Sequence, residues 1–172
     1  MPTRSSPPNA AVLACRDISM ADLKDYEARV RQPIRSTYRG YEIHGMPTPS
    51  SGGIAIAQAL NLMETFDLSG KSRADIEHLY LEASRVAFAD RNAYVADEEF
   101  VDVPKDGLLS KAYARERAKV IGLSAAPGKI AAGDPYPFEN DLSVPLRPQP
   151  RPLAQESMHT THLAVSDREG NV

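Results

Sequence analysis

Ser157-Met158-His159-Thr160-Thr161-His162-Leu163-Ala164-Val165-Ser166-Asp167 is the stretch on which the reading of the fold turns. Two adjacent threonines follow a proline-rich run. They open an apolar segment that closes on Asp167-Arg168-Glu169-Gly170-Asn171, a turn signal. Thr and Val favour strands because branched side chains pack well on a pleated surface. From the residues alone this is a buried β-strand feeding a hairpin, and nothing in the pattern demands catalysis. Immediately upstream, Pro127 to Pro152 holds seven prolines in 26 residues with little apolar periodicity. That composition reads as a linker or extended surface strap over residues 127–159, not a packed element. Its position matters, because a bond that is to be cut must be reachable.

Further upstream the patterns are local and readable. Residues 1–16 are Pro/Ser-rich and then Ala-rich, without periodicity, and read as disordered or loosely attached. Ser19 with Asp22 resembles a capping box opening a short helix to about Tyr26. Val30 to Met46 reads as paired strands reversing at Arg39-Gly40. Pro47-Thr48-Pro49-Ser50-Ser51-Gly52-Gly53 ends the second strand and starts a helix running to about Thr65. Ser50 or Ser51 is the expected cap, and the glycines let another segment approach the helix start. A helix start of this kind also suits an anion, but the Lys of a nucleotide-binding loop is missing.

Ser72 and Asp75 open the best-defined helix, in which Ile76, Leu79, Tyr80, Ala83, Val86, Ala87 and Tyr94 recur at helical spacing. Glu77, Glu82, Arg85, Asp90 and Arg91 are expected mostly on the other faces. Asp97-Glu98-Glu99 reads as a solvated loop, and Ser110 caps a third helix from Lys111 to about Ile121, stopped by Gly122.

The totals exclude several classes of function. The 172 residues are 42% apolar and 25% charged with a net charge of −3. That weakly acidic balance disfavours nucleic-acid or anionic-membrane partners. No apolar run reaches the length of a membrane span, and the N-terminus lacks the apolar core of a signal peptide. Cys15 stands alone, so no intrachain disulfide framework is expected. His44, His78, His159 and His162 are scattered; the last two would point to opposite faces of an extended segment. Neither a metal nor a cofactor is expected.

Five collinear blocks resemble the γ-glutamyltransferase family. They are Asp17-Ile18-Ser19-Met20-Ala21-Asp22-Leu23-Lys24-Asp25-Tyr26, Tyr38-Arg39-Gly40-Tyr41-Glu42-Ile43, Met46 to Gly53, Ala83 to Tyr94 with Ala87-Phe88-Ala89-Asp90-Arg91, and Thr160-Thr161-His162 through Gly170-Asn171. The resemblance spans residues 17–172 and leaves 1–16 as a non-family start, which suggests a misplaced start or a truncated gene. It implies an α/β fold, part of the four-layer αββα sandwich of N-terminal-nucleophile hydrolases. It also implies a precursor that cuts itself between His159 and Thr160. Residues 17–126 would then be the C-terminal part of the large subunit (helix, hairpin, three helices), with 127–159 as strap and 160–172 as the truncated start of the small subunit.

By the same resemblance Thr160 is the nucleophile, and Thr161 and His162 are supporting neighbours in the strand. The substrates implied are glutathione or other γ-glutamyl compounds, with water, amino acids or peptides as acceptors. The remaining small-subunit sequence is the implied partner, and the location is periplasmic or secreted. The family's substrate-carboxylate Arg, its amino-group ligands and its oxyanion donors are not in this sequence, so the segment alone is expected to be inactive. Its long helix would then expose Ile76, Leu79, Tyr80, Ala83 and Val86. Two competing readings are a relative acting on another amide, of the cephalosporin acylase or polyglutamate capsule type, and a non-enzymatic orphan or split-gene fragment.

Overall fold

The computed structural model describes residues 19–124 and 128–140, with only the backbone of Asp22. The strand expected to begin at Thr160, and Cys15, lie outside the described residues. The chain divides into two compact units, residues 1–31 and 32–172.

In the first unit, α1 spans Met20–Asp25 and its Leu23 N–H donates to the Ser19 carbonyl at 3.2 Å. Met20, Leu23 and Tyr26 are all exposed.

The second unit begins with a two-stranded antiparallel sheet, β1 (Ile34–Tyr38) and β2 (Tyr41–Gly45), in the register Ile34 opposite Gly45 and Tyr38 opposite Tyr41. The reversal is local chemistry. A two-residue loop of type I′ needs positive φ at both central positions, and Arg39 (49°) and Gly40 (86°) supply it. The loop is also tied down, since the Arg39 N–H donates to Glu64 Oε1 at 2.7 Å.

Four helices follow where three were expected: α2 (Gly52–Met63), α3 (Arg73–Tyr94), α4 (Lys105–Leu109) and α5 (Lys111–Ala118). The extra one, α4, is five residues long, too short to show apolar periodicity. α3 opens on the expected capping box, with the Asp75 N–H donating to Ser72 Oγ at 3.2 Å and Ser72 N–H to Asp75 Oδ2 at 3.3 Å. The Ser72 hydroxyl, donating to Asp75 Oδ2 at 2.7 Å, and then the Ser72 N–H hold the Asp75 carboxyl below its ordinary value. Ser110 caps α5 as its sequence implies, accepting from the N–H groups of Ala112 and Tyr113. α5 ends at Ala118, short of Gly122, whose carbonyl instead accepts from His78 Nε2 at 2.9 Å.

α2 is the hub of the packing, touching both strands and α3, α4 and α5. One apolar cluster joins Ile34, Ile54, Ala57, Val103, Leu108 and Tyr113. A second joins Leu62, Met63, Leu79, Ala83, Val86 and Ala114. The stripe of α3 is mostly not left open: of the residues expected to need further sheet to cover them, Leu79, Ala83 and Val86 are buried within the chain and Ile76 is partly buried, and Ala87 is buried beside them. The large exposed apolar residues of α3 are Tyr80 (53%), Leu81 (60%) and Phe88 (51%), so Tyr80 leaves the stripe assigned to it.

The strap expectation fails over residues 128–140. Pro135 is fully buried, and residues 136–138 form a 3₁₀ turn that sets Tyr136 edge-on to Tyr94 (5.9 Å) and Phe138 against Tyr113 (5.5 Å). Proline content pointed to extended backbone, but it does not determine whether that backbone is anchored. Here aromatic side chains and backbone hydrogen bonds anchor it.

Candidate functional site

Pro47-Thr48-Pro49-Ser50-Ser51-Gly52-Gly53 forms a turn closed by the Ser50 N–H donating to the Pro47 carbonyl at 3.1 Å. The glycines are used as expected: a Cβ on Gly45 would lie 2.6 Å from the Gly53 Cα, so strand end and helix start touch backbone to backbone. The cap is different. Ser51 adopts a helical φ/ψ (−87°, −14°) and makes no side-chain cap bond. An N-cap hydroxyl reaches the free N–H groups from extended backbone; from this conformation Ser51 Oγ accepts instead from Arg91 Nε at 3.0 Å.

A carboxylate holds the other side of the turn. Thr48, buried at 2% exposure, donates its hydroxyl to Glu98 Oε1, and Lys105 Nζ reaches Glu98 Oε2 at 2.7 Å. Glu98 is thus a structural acceptor and not part of a solvated acidic loop. Its attraction to Lys105 and the nearby hydroxyl outweighs hydration at this half-buried position.

A shallow cleft of about 310 Å³ lies along the hairpin, lined by Arg35, Glu42, His44 and Lys111 among others. Its Lys111 ammonium is committed to the fold, donating to the Thr37 carbonyl (2.5 Å), Asn61 Oδ1 (2.6 Å) and Glu64 Oε2 (2.5 Å). Lys111 and the Arg39 N–H together hold the Glu64 carboxyl below its ordinary value.

The most concentrated polar constellation is buried. Asp90 is 0% exposed. Its Oδ2 accepts from Gln58 Nε2 (2.6 Å), the Tyr113 hydroxyl (2.9 Å) and Arg117 Nε (3.1 Å). Its Oδ1 takes the Gly133 N–H (2.8 Å) and an Arg117 Nη2 contact (3.0 Å). Four segments meet there: α2, α3, α5 and residues 131–133. Burial beside the Asp90 charge pushes the Tyr113 phenol far up, so it stays protonated and donating.

Sequence reasoning placed Asp90 on an outer face of α3, and Glu82 with it. Both are buried, Glu82 at 3% with Arg85 Nη1 on its Oε1 at 2.6 Å. The missed signal is spacing: Asp90 follows Ala83 and Val86 at seven and four residues, on the apolar stripe, where a charge requires buried partners.

None of the catalytic expectations is placed by this geometry. His159, Thr160, Thr161 and His162 all lie outside the described residues. Among the described residues no three His, Cys, Asp or Glu side chains gather as a metal site, and no helix is long and apolar enough to cross a membrane.

Comparison with known proteins gives a consistent result. The chain is 43% identical over 157 residues to an acylase ACY 1 proenzyme of Pseudomonas sp. (strain V22), covering 90% of this chain and 25% of that protein. It is 40% identical over 163 residues to the glutathione hydrolase proenzyme of Escherichia coli (strain K12), covering 90% and 24%. It therefore spans about a quarter of the length of these relatives. Among solved structures, the gamma-glutamyltranspeptidase of Helicobacter pylori superposes with a TM-score of 0.61 at 42% identity, over 64% of this chain and 33% of that one. A cephalosporin acylase from Bacillus halodurans does so with a TM-score of 0.57 at 34% identity, over 61% and 19%. The helices and small sheet are part of the α/β fold of N-terminal-nucleophile hydrolases. Residues 16–172 match the gamma-glutamyltranspeptidase family, and the chain belongs to that family.

Proposed function

We propose that this segment is the junction of a self-cleaving precursor whose mature form transfers γ-glutamyl groups from glutathione and related amides to water, amino acids or peptides. The supporting observation is that the family match runs unbroken through Thr160-Thr161-His162 to residue 172. The word proenzyme in the names of both relatives agrees with processing. On this reading residues 17–159 close the large subunit, Thr160 begins the small one, and the mature protein works outside the cytoplasm.

Thr160 Oγ attacks the His159 carbonyl carbon and the His159–Thr160 C–N bond breaks. The nitrogen takes the hydroxyl proton, leaving an ester. Water hydrolyses that ester, freeing the His159 carboxylate and restoring the Thr160 hydroxyl. The new α-amine, with an ordinary pKa of about 7.7–8.0, then serves as the base that an unassisted threonine hydroxyl needs. Oγ attacks the γ-amide carbonyl, the amine leaves with a proton, and the acceptor resolves the γ-glutamyl ester. Thr161 and His162 support the strand.

A second reading has its own support, since the Pseudomonas relative is an acylase at 43% identity. There the same nucleophile would open a different side-chain amide. The test uses the complete precursor containing this segment. Thr160→Ala leaves one uncut polypeptide by mass spectrometry, and the matured wild type turns over a γ-glutamyl anilide faster than a glutaryl or cephalosporin side-chain amide. Normal cleavage in Thr160→Ala would refute the assignment, and the reverse substrate order would favour the acylase.

A further inference from the structure

α2 is built the wrong way round for a helix that faces water. Its twelve residues include no charged side chain, and nine of them are buried. Its two polar side chains are among the buried ones: Gln58 donates to Asp90 Oδ2 at 2.6 Å, and Asn61 donates to the Leu109 carbonyl at 2.8 Å. The strip left open is Gly52, Ile56 and the half-buried Leu60, spaced four apart and apolar throughout. A helix that is hydrophobic all round belongs in the interior of a larger body. We propose that this strip, with Leu81, Ser84 and Phe88 of α3, is a docking face. Its occupant is an apolar element of the same precursor polypeptide, drawn from sequence outside these 172 residues.

α3 packs antiparallel along α2, with Ser51 against Arg91 at one end and Met63 clustered with Leu79 and Ala83 near the other. Ile56 lies five residues after Ser51 and Phe88 three before Arg91, so the two sit at nearly the same level of the pair. On α3, Leu81, Ser84 and Phe88 recur at the spacing of one helical stripe, on the side away from Leu79 and Val86. Leu81 and Phe88 are exposed. Ser84 needs nothing from water, because its hydroxyl donates to the Tyr80 carbonyl at 2.8 Å. Covering it leaves no polar group unpaired. The neighbouring Arg85 is engaged by Glu82 and the Gly128 carbonyl, each at 2.6 Å.

Size points to the occupant. This chain spans about a quarter of the length of its relatives, and the matched region is 33% and 19% of the two solved chains it superposes on. Most of the folded body in those proteins is made by other sequence. An element of the same polypeptide is tethered, which gives it a high effective concentration over any separate molecule. A membrane surface fits less well, since helices that lie on one carry Lys or Arg beside the apolar face, and α2 has neither.

The experiment uses the complete precursor containing this segment. Carbene footprinting, read by mass spectrometry, compares labelling of each residue in the native protein and in the same protein unfolded by denaturant. With the strip open, Ile56 (52% exposed) and Phe88 (51%) would label at about half the unfolded level. The expected result is a small fraction of that level, at dilutions where light scattering shows single copies. A photoreactive benzophenone side chain in place of Ile56 should cross-link, within one copy, to sequence outside these 172 residues. Ile56→Lys should lower the soluble yield of precursor severalfold, while Ile56→Leu leaves it unchanged.

Native labelling near half the unfolded level overturns the proposal, because the strip then faces water in the complete protein. Protection that disappears when oligomers are diluted to single copies overturns it too, and gives the face to a second copy. Cross-links confined to residues 1–172, or an undiminished yield of Ile56→Lys, also defeat it. None of these readouts depends on Thr160 as nucleophile, so this proposal and the junction reading can fail separately.

Discussion

The β1–β2 hairpin and the 128–140 segment satisfy their backbones by opposite means. The hairpin is regular, with strand pairing closed by a two-residue loop, so its ladder partners lie close in sequence even though Glu64 and Lys111 tie it to the body from afar. The 128–140 segment has no strand, yet its hydrogen bonds to Tyr94 and Asp90 bridge 39 and 43 residues. Regular backbone satisfies its own polar groups; irregular backbone that is buried must borrow partners from side chains. A buried carboxylate is what the second solution requires, and Asp90 supplies it.

The first way to break that contrast is to remove the carboxylate. Asp90→Ala leaves the Arg117 guanidinium, 9% exposed, without its counter-charge. It also strips the Gly133 N–H of its acceptor and leaves the Tyr113 hydroxyl without the oxygen it donates to. Breaking a buried pair from one side costs about 3–5 kcal/mol. Denaturation of the complete protein should show a loss of that size. A loss below about 1 kcal/mol would mean that water replaces the carboxylate and that the segment does not depend on it.

The hairpin should be less sensitive. Gly40 has a φ of 86° and open space where a Cβ would go, so Gly40→Ala tests backbone conformation without a clash. The left-handed region costs a non-glycine residue about 1–2 kcal/mol, and Arg39 already occupies it at the neighbouring position. The expected loss in the same denaturation measurement is therefore about 1–2 kcal/mol. A loss as large as that of Asp90→Ala would remove the distinction between locally and remotely held backbone.

The same distinction explains what the sequence made legible. The Arg39-Gly40 reversal, the Ser72–Asp75 box and the Ser110 cap are signals spanning four residues or fewer, and each appears where its chemistry puts it. Asp90 was misplaced although its spacing from Ala83 and Val86 puts it on the apolar stripe, because the partners that admit a charge there lie on α5 and at Gly133, outside any local pattern. The strap was misread for the same reason: proline content describes local backbone, while Tyr94, Tyr113 and Pro135 decide that residues 128–140 pack. Ser51 shows a third kind of failure. A residue of capping type met Arg91, and the guanidinium took the hydroxyl that local reasoning had given to the helix. Thr160 enters as the proposed nucleophile only through family resemblance, since two threonines before an apolar run carry no chemistry of their own.

The smallest effect belongs to the tie between the hairpin loop and α2. Glu64 accepts from the Lys111 ammonium and the Arg39 N–H, and these hold its carboxyl below the ordinary value of 4.5. A carboxyl whose folded value is lowered contributes stability that is fully present above its unfolded value. That contribution is lost as pH falls through the folded value, so the window lies below 4.5. The side chains of Lys111 and Glu64 are 36% and 31% exposed, and water screens such pairs to about 1 kcal/mol or less. Glu64→Gln should therefore destabilise the complete protein slightly at neutral pH. The gap between variant and wild type should close as both are acidified toward about pH 3. A gap that stayed constant through that range would mean the loop is held by the shape of the Arg39–Glu64 contact alone. The charge would then contribute nothing, and the remote tie to α2 would rest on a neutral hydrogen bond.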